Sequence, residues 1–230
     1  MFKQMAVILI GLMMVTGCSA TASAATGNVK MVEGSGMIVK AQRAIGEFHA
    51  VRLNGEGHVI VTRGTTTGLT LEADDNFVSL IETSVENGTL VIGLDDAQGP
   101  LDLRETQPIR FYVSTPMFDG VEINGAGSVT ADNFEAEQVG LTIDGSGEVK
   151  LSGATRVLNI GIHGTGHVDA SNLRATRTRI EIGGSGAVNA WATGQLDAAI
   201  SGTGNIQYYG RPTINKVITG LGTLIALGDK

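Results

Sequence analysis

Apolar and polar residues alternate with a period of two around a recurring Gly-x-Gly element whose first glycines are Gly55, Gly125, Gly145, Gly164, Gly184, Gly202 and Gly220. The second glycines are Gly57, Gly127, Gly147, Gly166, Gly186, Gly204 and Gly222. Two residues before each first glycine stand Leu53, Ile123, Ile143, Ile162, Ile182, Ile200 and Ile218; four residues after it stand Val59, Val129, Val149, Val168, Val188, Ile206 and Leu224. The places four before and six after are also apolar, Lys216 being the exception, whereas the odd places carry residues such as Asn54, Asp144, His163 and Ser201. Strict alternation means extended chain with its even positions on one side. The two glycines fall on inward positions, which predicts a corner where the strand bends toward the core and a β-carbon has no room.

After a first gap of 70, the elements recur at steps of 20, 19, 20, 18 and 18 residues. A unit that short cannot bury its own apolar edge, so neighbouring units must stack and share a continuous core. Strands about 4.8 Å apart would set like residues above like. The predicted fold is therefore all-β, a parallel β-helix of 18–20-residue Gly-x-Gly repeats, right-handed by the general crossover preference. A sandwich or barrel of short antiparallel strands is the alternative. The span from Thr62 to Gly120 interrupts the repeat. Its alternating runs at Leu69–Leu71, Leu90–Leu94 and Ile109–Val113, with a turn signal at Glu86-Asn87-Gly88, predict larger turns of the same coil or a small sheet closing its first end. Capping is expected here and from the C-terminal residues, because bare strand edges invite aggregation.

The first residues read differently. Lys3 precedes an apolar run from Met5 to Val15, which closes on Val15-Thr16-Gly17-Cys18. The run is shorter than the ~20 residues a spanning helix requires and fits a secretory signal. Small residues before a cysteine resemble the lipobox of bacterial lipoproteins, in which the cysteine is acylated and becomes the new N-terminus. The expected organisation is a signal at 1–17, lipidated Cys18 with a flexible Ser/Ala/Thr/Gly-rich tether through residue 36, and a β-helix domain over 37–230. Cleavage near Ala22–Ala24 to a soluble form is the alternative. Ser19 follows the cysteine where an Asp tends to retain lipoproteins at the inner membrane, so the lipobox resemblance points to the outer membrane, with the facing of the anchor left open.

Composition narrows the function. Sixteen basic against 23 acidic residues give a net charge of −7, and nucleic acid as partner would require a basic footprint. One cysteine builds neither a disulfide framework nor a zinc cluster. The Gly-x-Gly elements each run into another strand, whereas a dinucleotide fingerprint needs a helix. Gly183-Gly184-Ser185-Gly186 copies the opening of a calcium nonapeptide, but Val188 occupies its aspartate position and the period is double. No cofactor is expected. Stacking sets His163 beside Asp144 and His167 beside Glu148, near Asp169. These outward pairs are read as solvated surface, with a metal or acid–base site as the sharper alternative. Trp191, Tyr208 and Tyr209 are the candidate aromatic platforms for sugar.

Gly46-Glu47-Phe48, the Val51–Val61 run, Leu71-Glu72-Ala73-Asp74-Asp75-Asn76, Asn87-Gly88-Thr89-Leu90-Val91-Ile92 and Tyr209-Gly210-Arg211-Pro212 together resemble the bacterial head GIN domain. That family is also described as an autotransporter adhesin head and as a domain of unknown function. The resemblance spans about Ile45 to Leu227. It implies export, frequent lipidation and a β-helical fold, and it transfers no catalytic residue. The expected function is that of a non-enzymatic, lipid-anchored envelope protein, an adhesin-like module whose glycan or protein ligand is unknown. The alternatives are a polysaccharide-acting enzyme and a periplasm-facing structural protein.

Overall fold

The computed structural model describes residues 29–95, 97 and 99–230. The expected signal, Cys18 and the first part of the expected tether lie outside the described residues. Seventeen strands are described: β1 (Lys30–Glu33), β2 (Ile38–Arg43), β3 (Ala50–Gly55), β4 (His58–Arg63), β5 (Gly68–Asp74), β6 (Ile81–Glu86), β7 (Thr89–Leu94), β8 (Leu101–Arg104), β9 (Arg110–Thr115), β10 (Gly120–Gly125), β11 (Ser128–Ile143), β12 (Glu148–Ile162), β13 (His167–Ile182), β14 (Ala187–Ile200), β15 (Asn205–Tyr209), β16 (Thr213–Ile218) and β17 (Thr223–Gly228). A 3₁₀ turn spans Asp75–Phe77.

The repeat units pair in parallel and in register, forming a solenoid of about five turns. Leu53, Ile123, Ile143, Ile162, Ile182, Ile200 and Ile218 make one column. Val59, Val129, Val149, Val168, Val188, Ile206 and Leu224 make the other. Apart from Ile218 and Leu224 in the final coil, every member is at most 1 % exposed. Each such side chain contributes roughly 1.5–3 kcal/mol by burial, so the columns form one continuous core. The long strands β11 to β14 each wrap two sides of a coil, and their register slips at bulges such as Ala131/Phe134 and Lys150/Ser152. Bulges turn a strand while keeping both halves paired.

Only the second glycine of each element points inward as the alternation predicts. A β-carbon on Gly147 would lie 2.8 Å from Ile123 Cγ2, and one on Gly166 would lie 2.7 Å from Ile143 Cγ2. The first glycine faces along the stack: a β-carbon on Gly145 would lie 2.2 Å from the Gly125 carbonyl oxygen. The element is thus closed from two directions, by the core beside it and by the preceding coil's backbone.

The interrupting span supplies both features expected of it. β7 and β9 add parallel strands outside β3 and β4. Beyond them, β6 runs antiparallel to β7, β5 to β9 and β2 to β5, forming the sheet that closes this end. Phe77 and Phe111 fill its interior at 0 % and 1 % exposed.

Two expectations are corrected. Residues 30–33, assigned to the tether 18–36, form β1 and pair in parallel with β8, while Gly36 N–H donates to Asp74 Oδ1 at 2.8 Å. The backbone ladder to β8 and the buried Asp74 acceptor fix this stretch. The C-terminal residues, expected to cap, leave the last described coil open, with Val217 64 % and Leu221 85 % exposed.

Candidate functional site

Outward positions in a stacked coil form columns as regular as the core's. Thr89, Ala50, Gly120, Gly140, Asn159 and Arg179 follow one another across six neighbouring strands. Two residues along, Arg52, Glu122, Thr142, Gly161 and Glu181 form a second row. Where these columns carry Ala or Gly there is no side chain to stand above the sheet, and a trough of about 530 Å³ opens between them. Nothing lies within 4 Å of a β-carbon built on Gly140, and on Gly161 the nearest atom is 3.8 Å away. At Gly140 and Gly161 the floor is therefore open for want of a side chain, whereas a β-carbon on Gly120 would lie 2.8 Å from Ala50 Cβ.

Charged pairs border the trough. Arg52 Nε donates to Glu122 Oε2 at 2.8 Å, and Asn124 Nδ2 to Glu122 Oε1 at 3.0 Å. Arg179 Nε donates to Glu181 Oε1 at 2.9 Å. Burial favours the protonated form of Glu122, but the bonds from Arg52 and Asn124 and the Arg52 charge outweigh it and hold its pKa below the ordinary value. A general acid for glycoside cleavage needs the opposite shift. The surface is equipped to accept and donate hydrogen bonds along a ligand that follows the coil axis.

The predicted acid–imidazole stack is present in part. His163 Nδ1 and Asp144 Oδ1 are 2.7 Å apart on adjacent Gly-x-Gly turns, both about half exposed. Glu148 and His167 are in-register neighbours. Burial raises the Asp169 pKa, yet bonds from Ser171 and the charges of Lys150 and His167 bring it below the ordinary value. Among the described residues no three His, Cys, Asp or Glu side chains converge as metal ligands. His49 and Asp119, each six residues before a first glycine, form a similar contact at 2.8 Å.

The candidate aromatics separate. Tyr208 is 8 % exposed and belongs to the core. Trp191 and Tyr209 are in-register neighbours, half-buried on the outer side of β14 and β15. Cys18 lies outside the described residues. The trough was not anticipated, although its signal is in the sequence: the place five before the first glycine reads Ala50, Gly120, Gly140, Asn159, Arg179, an outward column that begins with the smallest side chains.

Comparison with known proteins agrees with the geometry. The family model described as "Putative auto-transporter adhesin, head GIN domain" matches residues 47–212. No curated protein sequence gives a significant match. A crystal structure described as a putative adhesin from Bacteroides fragilis is 25 % identical with a TM-score of 0.69, covering 85 % of this chain and 100 % of its own. One described as a putative lipid binding protein from Parabacteroides distasonis is 23 % identical with a TM-score of 0.52, over 86 % of this chain and 100 % of its own. A putative adhesin from Parabacteroides merdae is 17 % identical with a TM-score of 0.52, over the same shares; these last two share the fold.

Proposed function

The chain belongs to the head GIN domain family, whose model is described as "Putative auto-transporter adhesin, head GIN domain", and from that premise we propose that it is a non-enzymatic, lipid-anchored binding module of the bacterial cell envelope. The trough floored by Gly120, Gly140 and Gly161 carries this reading, because it offers an elongated ligand a rigid bed across successive coils. Polar groups repeat there at the inter-strand spacing of about 4.8 Å, so weak contacts add along a polymer such as a glycan or an extended polypeptide. Acylated Cys18 would hold the domain at the outer membrane; more than one acyl chain gives durable attachment where a single chain does not.

The test is a glycan and matrix-protein array probed with the full chain and with Gly140→Leu, which fills open space. Binding that falls at least about tenfold in the variant, at unchanged melting temperature, supports the trough. Equal binding by both proteins places the ligand elsewhere, and turnover of an arrayed polysaccharide overturns the non-enzymatic reading. Lipid labelling that persists in Cys18→Ala would overturn the anchor, and protection of the domain from protease on intact cells would overturn adhesion.

A further inference from the structure

Lys230 folds back across three strands, and the groups that receive it are chemically matched to an ammonium ion. Its Nζ lies 5.0 Å from the centroid of the Tyr209 ring and 5.7 Å from that of Trp191. The same nitrogen donates to Asn172 Oδ1 at 2.7 Å and to the Ser171 backbone carbonyl. Two π faces and two oxygen acceptors around one nitrogen satisfy a cation from several directions.

The receiving groups do not depend on Lys230 for their placement. Trp191 and Tyr209 are fixed by the β14–β15 ladder, and Asn172 by the β12–β13 ladder, where it pairs with Ser152. Lys230 is delivered separately. Gly210 N–H donates to the Gly228 carbonyl at 2.8 Å, and Arg211 grips Asp229 through two bonds, Nε to Oδ1 at 3.0 Å and Nη2 to Oδ2 at 2.5 Å. The side chains of both Arg211 and Asp229 are more than half exposed, and such pairs stabilise weakly. A preformed receptor is thus filled by a segment held on by exposed contacts.

We propose that Trp191, Tyr209, Asn172 and the Ser171 carbonyl form a primary-ammonium site, occupied in cis by Lys230 and able to take a lysine side chain of a partner polypeptide once Lys230 is displaced. The intramolecular lysine competes at an effective concentration in the millimolar range, so it acts as a gate on the site. This site lies apart from the trough and does not depend on the reading given to it.

Trp191 is the only tryptophan of the chain, so intrinsic fluorescence of the full chain in detergent reports on the site directly. The chain and its Lys230→Ala variant are titrated with N-acetyl-lysine amide and with N-acetyl-norleucine amide, which keeps the aliphatic stem and lacks the charge. Expected are a shifted Trp191 emission in the variant, saturation by the lysine compound at concentrations at least about tenfold lower than for the parent, no saturation by the norleucine compound, and loss of the response when Tyr209→Leu is added. Circular dichroism of each variant establishes that the coil is intact. An unchanged emission in Lys230→Ala, equal titration of variant and parent, or an equal response to norleucine amide would overturn the proposal.

Discussion

The carbonyl oxygen of Gly145 lies 2.0 Å from the point where a β-carbon on Gly164 would have to stand. The same relation recurs between Gly164 and Gly184, again at 2.0 Å. Backbone blocks the space, so no side-chain adjustment relieves it. Gly164→Ala must push two coils apart, and the hydrogen bond from Thr165 N–H to the Gly145 carbonyl, 2.8 Å long, stretches with them. A destabilisation of about 3 kcal/mol or more is expected. Gly140→Ala, a change of the same chemistry into open space, should stay within about 0.5 kcal/mol. Urea denaturation of the two variants checks the contrast, and equal effects would refute the assignment.

That contrast marks where sequence reading stopped. The apolar columns were legible because burial imposes a period of two that any coil must repeat, and Ile143 or Val149 reveals its place by its neighbours alone. The distinct roles of Gly145 and Gly147 were not, since both lack a side chain and the alternation assigns them one face. Only the stacking distance shows that one avoids a carbonyl and the other an isoleucine. The trough is legible only once the coils are aligned: Ala50, Gly120 and Gly140 then fall at one outward place, whereas each alone is an ordinary small residue. Likewise β1 is not legible from its own four residues, because it pairs with β8, some seventy positions on, through a contact that no local pattern announces.

Ile182 lies inside its column, between Ile162 and Ile200, and is 1 % exposed. Ile182→Asp places a carboxylate among aliphatic groups with no donor in the column to receive it, which costs several kcal/mol. The domain is expected to lose its cooperative melting transition, and Ile143→Asp should do the same. Ile182→Ala, which leaves a cavity without a charge, should cost about 2–5 kcal/mol. A soluble Asp variant with the parent's melting temperature would refute the ladder.

Thr178 breaks the apolar pattern of a different column, between Leu158 and Leu196. It is 1 % exposed, and its hydroxyl has no hydrogen-bond partner among the described residues. Val has nearly the same shape and removes the unmet polar group. Thr178→Val is therefore expected to stabilise the domain by about 1 kcal/mol, seen as a higher denaturation midpoint with an unchanged slope. A lower midpoint would show that the hydroxyl is satisfied in solution.

Asp74 is the one fully buried carboxylate among the described residues, at 0 % exposed. It receives Gly36 N–H at 2.8 Å and Thr106 Oγ1 at 2.7 Å on one oxygen, and Thr106 N–H at 3.1 Å on the other. It thereby ties the chain before β2 to the loop after β8. Burial pushes its pKa upward, but the Thr106 and Gly36 hydrogen bonds prevail, and the folded value lies below the ordinary 3.8. A depressed folded pKa means that the carboxylate stabilises the fold fully above the unfolded value, and that this contribution fades as pH falls through the folded one. Denaturation midpoints measured from pH 6 downward should therefore drop below about pH 4, and Asp74→Asn should remove that part of the drop. At pH 7 Asp74→Ala should cost about 1–3 kcal/mol, since the Gly36 and Thr106 donors lose their acceptor. The loss should begin in the cap: amide exchange at Gly36 and Thr106 is expected to speed up before exchange at Val149 or Val168, which lie deep in the coil. Uniform acceleration across both regions would mean that the cap and the solenoid unfold as one unit.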